Sequence, residues 1–374
     1  MKTKRIRNVV FQLHRYIGLF VGLITVVVGL TGSLLVFRQE IDRVLVRSQF
    51  GEVVPQQSLI TPTELLETVS TTLRDRHLIL DSLSIPLTTN APYAVWLKSI
   101  DEKWTEVFIN PYTGVILGTR QWENSLYDVV YRLHYQLLAG DIGLTVVGIV
   151  AFLLLLLCIT GIILWSGWKK LINGFKIKWK AHPQRVSFDV HKVIGIVTAL
   201  FLAMIAFTGF CWNFAVFTQP IIYALTQTPQ LAEPTSTPPT TPKSPVTLNE
   251  VLIKADAVLP GAVTTNISLP STPEGIFRIS KKFPHEKGYG RSEVYLDQYT
   301  GDILRVRDAR ALPLAEAILN VFALVHHGTF GGWLTRFFYV FVGLAPTILM
   351  VTGFVMWWSK KIKLPSKHNH ESSS

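Results

Sequence analysis

Four long apolar runs punctuate the chain, at roughly 16–37, 143–165, 193–217 and 337–358. Each has about the 20 residues that a bilayer crossing takes. Between the first and second runs the pattern changes to strands and turns. Trp104/Glu106/Phe108 alternate with Thr105/Val107/Ile109, the period of a half-buried strand. Asp81–Pro86 and Tyr93–Lys98 also read as extended, and Asn110-Pro111-Tyr112-Thr113-Gly114 is turn chemistry. Ahead of them Thr61-Pro62-Thr63-Glu64 is a capping box with proline at the first helical position, which predicts a helix over about 62–75. The segments before the second and fourth runs, 125–141 and 313–332, are amphipathic and close on glycine. They predict short helices lying at a membrane interface.

The same order occurs twice. Residues 14–37, HRYIGLFVGLITVVVGLTGSLLVF, recur as HKVIGIVTALFLAMIAFTGFCWNF at 191–214. Both copies have Ile-Gly after a histidine and a basic residue (Ile17-Gly18, Ile194-Gly195), and Thr-Gly near the end (Thr31-Gly32, Thr208-Gly209). Thr247-Leu248-Asn249-Glu250 is a second capping box, Ser268-Leu269-Pro270 repeats Ser84-Ile85-Pro86, and EVYLDQYTGDIL (293–304) repeats EVFINPYTGVIL (106–117). The offset grows along the chain from 177 to 192, as one duplicated unit with small insertions requires. The expected fold class is therefore membrane α+β: a four-transmembrane-helix bundle with two extramembrane α+β domains, built as a tandem internal repeat. Its boundaries are a leader at 1–15, spans at 16–37, 143–165, 193–217 and 337–358, outside regions at 38–142 and 218–336, a basic loop at 166–192 and a tail at 359–374. The Pro/Thr-rich stretch 226–247 is expected to be an extended linker without packing.

Charge sets the expected orientation. The leader, the loop 166–192 and the tail carry 16 Lys+Arg against two acids, Asp189 and Glu371, whereas the two long outside regions carry 20 basic and 23 acidic residues. The short basic segments are expected to be cytoplasmic, with both termini inside. The net charge of +11 is thus topological, and no nucleic-acid partner is implied. A mean hydropathy of +0.33 is too apolar for an ordinary soluble protein. The first apolar run is too long for a signal peptide and no A-x-A site follows it, so it reads as a retained helix. Cys158 and Cys211 both fall inside spans, which excludes a disulfide scaffold and a cysteine-based zinc site.

Four of the ten histidines form repeat-related pairs: His14 with His191 at the inner face, and His134 with His326 at the outer face, in the two amphipathic segments. Gly18 and Gly195 follow at i+4, and Gly22 and Ala199 at i+8, a small-residue stripe that leaves room for a flat macrocycle. Bis-histidine haem ligation needs two imidazoles on facing helices with that space between them. Arg15 and Lys192, beside the inner pair, are candidates to neutralise propionates. The plain alternatives are a solvated interfacial histidine and ordinary small-residue helix packing. His327 competes with His326 as the outer ligand. His77 and His285 read as surface residues of the outside domains, and His182, His368 and His370 as cytoplasmic.

The H-[RK]-x-I-G spans, the Thr-Gly closes, the paired PYTG/QYTG turns and the Leu-His segments resemble the PepSY-associated transmembrane helix family over about 10–360. The resemblance implies a bacterial inner-membrane protein of iron uptake with two periplasmic PepSY-like domains and two b-type haems. It implies a ferric-siderophore reductase, with His14, His191, His134 and His326 as the family's recurrent histidines. The tryptophan that often follows the family's first histidine is absent; Tyr16 and Val193 stand there. The implied partners are a ferric-siderophore or other periplasmic Fe(III) chelate and a separate cytoplasmic or quinol electron donor, because no G-x-G-x-x-G or flavin fingerprint is present. The alternative is a non-catalytic PepSY binding or peptidase-inhibiting membrane protein, or an accessory subunit of iron uptake.

Overall fold

The computed structural model describes residues 2–72, 78–239, 246–284 and 292–362. In chain order its helices and strands are α1 (Lys2–Leu35), α2 (Arg38–Phe50), α3 (Pro62–Thr72), β1 (Leu78–Ser84), β2 (Tyr93–Ser99), β3 (Trp104–Ile109), β4 (Ile116–Gln121), α4 (Leu126–Gln136), α5 (Gly140–Leu164) and α6 (Leu171–Phe175). There follow α7 (Pro183–Asn213), α8 (Ala215–Leu225), α9 (Leu248–Val258), β5 (Val263–Ser268), β6 (Ile276–Lys282), β7 (Ser292–Asp297), β8 (Ile303–Arg307), α10 (Leu314–His326) and α11 (Gly332–Ile362). The chain divides into two compact units. One comprises Met1–Val36, Val130–Gln219 and Val325–Ser374, the other Phe37–Val129 and Pro220–Leu324.

The first unit is a helix bundle. Among the described residues four helices, α1, α5, α7 and α11, are long and apolar enough to cross a membrane. Each of α1 and α7 packs against both α5 and α11. At one crossing two glycines meet: a Cβ on Gly29 would strike the Gly343 carbonyl, and Ser33 Oγ donates to the Val340 carbonyl at 3.1 Å. Small residues let helix backbones approach where no hydrophobic effect drives them together. The helices start well before the apolar runs. His14 and His191 therefore lie inside α1 and α7 rather than at their heads. α7 starts at Pro183, in the first helical position, and the His182 ring caps it by accepting from Gln184 N at 3.4 Å. It stops at Asn213, short of the expected 217, and α8 begins two residues later.

The second unit is a single eight-stranded antiparallel sheet in the order β4-β3-β2-β1-β5-β6-β7-β8. The two α+β domains expected from the sequence thus share one sheet. Their first strands pair edge to edge: Ser82↔Ser268, Leu83↔Ile267 and Ser84↔Asn266. Pairing β1 with β5 removes two open edges that separate four-stranded sheets would each expose. The register is symmetric about Leu83↔Ile267. The bulges fall in corresponding places too, at Leu80/Ser82 and Thr264/Asn266, and at Phe108/Ile109 and Tyr295/Leu296. Helices α3 and α9, each opened by the expected capping box, lay Leu65, Val69, Val251 and Ala255 on one core with Leu83, Val95, Ile267 and Ile279. The described part of the Pro/Thr stretch is mostly exposed and extended, as expected, but it is pinned at one residue. Ser236 is buried, its N–H donating to the Glu274 carbonyl at 3.0 Å and its Oγ accepting from Gln298 N at 2.9 Å. Helix α2 was not legible, because its apolar positions are sparse among charges.

One buried charge carries a strain on this sheet. Glu106 on β3 accepts from Arg120 Nε at 2.6 Å, and the same guanidinium binds Asp42 at 2.6 Å. Burial pushes the Glu106 carboxyl up to about 7 against the pull of Arg120. An acid whose folded value exceeds its ordinary 4.5 keeps an extra proton in the folded state. Its contribution to stability is therefore full below about pH 4.5 and lost as pH rises through about 7. Thermal unfolding of the full chain in detergent should show that slope, and Glu106→Gln should flatten it. Arg120→Met, which strands two carboxylates, should cost about 3–5 kcal/mol.

Candidate functional site

The bundle brings the four repeat-related histidines together as two pairs. The rings of His14 on α1 and His191 on α7 stand 6.2 Å apart between centroids, with planes at 83°. Those of His134 on α4 and His326 on α10 stand 6.2 Å apart at 81°. Each pair takes one ring from each half of the chain.

Every one of these rings is tied through the same nitrogen to the same dipeptide. Nδ1 of His14 meets Thr160 Oγ1 at 2.9 Å, Nδ1 of His191 meets Thr352 at 3.0 Å, Nδ1 of His134 meets Thr31 at 3.2 Å, and Nδ1 of His326 meets Thr208 at 2.8 Å. Each threonine hydroxyl already donates its one proton to a carbonyl in its own helix: Leu156 and Ile348 at 2.7 Å, Val27 at 2.7 Å, Met204 at 2.9 Å. The hydroxyl is left only as an acceptor, so the imidazole must donate. Two carbonyls say the same, Val28 at 2.9 Å from His134 Nδ1 and Leu349 at 3.1 Å from His191 Nδ1. The proton therefore sits on Nδ1 in all four rings, and the Nε2 lone pair is left for a metal.

The glycine of each Thr-Gly seats the ring. A Cβ on Gly161, Gly353, Gly32 or Gly209 would stand 3.3, 3.6, 3.0 or 3.4 Å from the Cε1 of His14, His191, His134 or His326. The threonine orients the imidazole and the missing side chain admits it. At the outer pair the chain turns sharply after α4 through Leu137, Leu138 and Gly140, all at positive φ. Two leucines in that region are costly and are tolerated where the surroundings fix them.

The remaining candidates divide. Gly18 and Gly195 are open, a Cβ there meeting only Leu157 and Leu349 at 3.7 Å. Gly22 is not open, because the Met350 thioether fills its space. Lys192 is committed elsewhere: its three protons go to Asp189 Oδ1 at 2.9 Å and to the carbonyls of Asn173 and Lys176 at 2.9 and 3.1 Å. It has no donor to spare for a propionate, which corrects the expectation. Arg15 bonds the Tyr16 hydroxyl at 2.9 Å, but its buried Nε has no partner. His326, not His327, faces His134; His327 lies against Trp212 at 5.7 Å. Trp212 also covers His326, at 4.7 Å. His77, His285, His368 and His370 lie outside the described residues. In the sequence the Thr-Gly dipeptides, which include Thr160-Gly161 and Thr352-Gly353, read as features of the spans, and nothing local shows that they face the histidines. Their recurrence four times was the available signal.

Three observations bear on haem. Two imidazoles on opposite sides of one ion, with bonds of about 2.0–2.1 Å, place their centroids about 6.3 Å apart, close to the 6.2 Å of both pairs. Among the described residues no three His, Cys, Asp or Glu side chains converge on a point, so a metal here would need its other donors from a macrocycle. The orphaned Arg15 Nε and the buried, unpartnered Tyr339 hydroxyl are polar atoms that a bound group could satisfy. The residues fit. In depth, His134 reaches Val28 and Thr31, which are 14 to 17 residues along α1 from His14. The pairs are thus about 21–26 Å apart along the helix.

The family model for the PepSY-associated TM region matches residues 11–360. No curated protein matches the chain.

The tautomer assignment is directly measurable. In ¹⁵N spectra of histidine-labelled, cofactor-free protein above pH 7, His14, His134, His191 and His326 should appear as Nδ1–H imidazoles. Thr160→Val should free the His14 ring to take the Nε2–H form, leaving the other three unchanged.

Proposed function

The chain belongs to the PepSY-associated TM family, and we propose that it is a haem-containing reductase of the bacterial inner membrane, passing electrons to a periplasmic Fe(III) chelate, most simply a ferric-siderophore. The observation that carries this reading is the duplicated pair geometry: four Nδ1–H imidazoles, threonine-bound, facing each other two by two. His14 and His191 would hold one haem b, and His134 and His326 a second. Bound there, haem supplies a reversible one-electron couple.

The chain's own residues do the rest. The threonines hold each Nε2 toward the space between the rings and keep each ring from rotating. Gly18 and Gly195 leave the helix surface bare beside the inner pair. Arg15 is the cation left to meet a propionate, since Lys192 is engaged. Trp212 and His327 wall the outer pair on the His326 side.

In the net reaction one electron leaves a reduced cytoplasmic partner or a quinol, and Fe(III) becomes Fe(II). Hard oxygen donors hold Fe(II) far less well, so the metal is released. The basic excess on the leader, the 166–192 loop and the tail supports both termini inside and residues 38–142 and 218–336 in the periplasm. The symmetric register and matching bulges support reading the sheet as two PepSY-like repeats of one ancestral unit.

A visible spectrum of the purified full chain, before and after dithionite, tests the reading. A reducible haem spectrum with two haems per chain is expected. His14→Ala or His191→Ala should remove about half of it, His134→Ala or His326→Ala the other half, and His327→Ala none. A chain with no chromophore after growth with ample haem would leave the non-catalytic binding reading in its place.

A further inference from the structure

The 18 residues between α5 and α7 form a small rigid structure with an unusual outer surface. The chain folds around Trp165, which is buried. Gly167 and Gly174 press on its ring so closely that a Cβ on either would collide with it, and Phe175 packs on it at 5.4 Å. The turn is then stapled from α7. Lys192 Nζ donates to the carbonyls of Asn173 and Lys176, and Asp189, fully buried, accepts from Lys178 N at 3.2 Å. Around this frame large apolar side chains are turned outward. Trp168, Leu171, Ile172 and Trp179 are 66, 64, 75 and 70% exposed.

Interleaved with them are Lys169, Lys170, Lys176, Lys178 and Lys180, all exposed. The segment 166–182 contains no acid. Asp189, on α7, is committed to Lys192 and Arg185. Among the described residues none of the five lysines has a carboxylate partner.

We propose that this loop is an in-plane membrane element that binds anionic phospholipid. An exposed apolar patch of this size needs a cover. A surface that alternates tryptophan and aliphatic side chains with lysine suits the boundary between acyl chains and negatively charged headgroups. The loop also cannot leave that boundary, because it joins the ends of two spans. Ile159 and Ile163, exposed on α5 just before it, continue the same apolar surface. The clamp by Asp189 and Lys192 gives the loop a fixed shape, so its side chains meet the lipid without first being ordered. An acidic protein could match the lysines, but the continuity with the spans' exposed faces favours lipid. The proposal does not depend on haem.

The test uses the full chain with Ile172→Cys carrying a bimane label, Cys158 and Cys211 being buried. In vesicles of phosphatidylcholine and phosphatidylglycerol with brominated acyl chains the label should be quenched, and aqueous iodide should not reach it. From mixed micelles containing equal amounts of the two lipids, the chain should retain phosphatidylglycerol preferentially. Lys169→Gln, Lys176→Gln and Lys180→Gln should each lower that preference by about fivefold, the effect of one basic residue at a membrane surface. Lys254→Gln, on α9, should not. A label open to iodide and untouched by brominated lipid, or a lipid preference indifferent to the three substitutions, would overturn the proposal.

Discussion

An imidazole has two nitrogens, and in its neutral form only one carries a proton. Which one decides whether the ring can bind a metal on a given side. In this bundle the choice is made by a threonine hydroxyl whose own proton is already given to its helix backbone. That single constraint explains several features at once. The residue must be threonine or serine, it must be helical so that the i−4 carbonyl is in reach, and the next residue must be small enough to admit the ring. Thr-Gly meets all three conditions, and it stands opposite each of the four paired histidines.

The same constraint organises the helices. Each inner histidine is tied to the later span of its own half, His14 to α5 and His191 to α11. Each outer histidine is tied back to the earlier span, His134 to α1 and His326 to α7. The hydrogen bonds therefore stay within a half, and the ring-to-ring contacts cross between halves. A group bound between the rings would join the halves at two depths. The sheet unit joins its halves by a different means, the backbone pairing of β1 with β5, which needs no ligand.

The spans are legible because a bilayer imposes length and composition, and strand β3 because its residues alternate in type, although the fold buries both of its faces. The capping boxes at Thr61 and Thr247 marked their helices for the same local reason. What could not be read was long-range. Nothing in the period of β1 or β5 says that its edge partner is the corresponding strand of the other half. Nor does a sequence show that the space beside Gly22 is filled by Met350, 328 residues away, or that Lys192 is drawn to carbonyls of the preceding loop. The histidine pairs are legible because the two copies can be compared; the role of the threonines is not, because small-residue spacing within a span resembles plain helix packing.

The most direct test of the paired-ligand account is the low-temperature EPR spectrum of the oxidised, haem-loaded full chain. With the ring planes of each pair nearly perpendicular, at 83° and 81°, haem held by both pairs would be low-spin ferric with a strongly anisotropic signal. Thr160→Val should change the inner signal alone. A high-spin spectrum, or the rhombic signal of parallel imidazole planes from both centres, would contradict it.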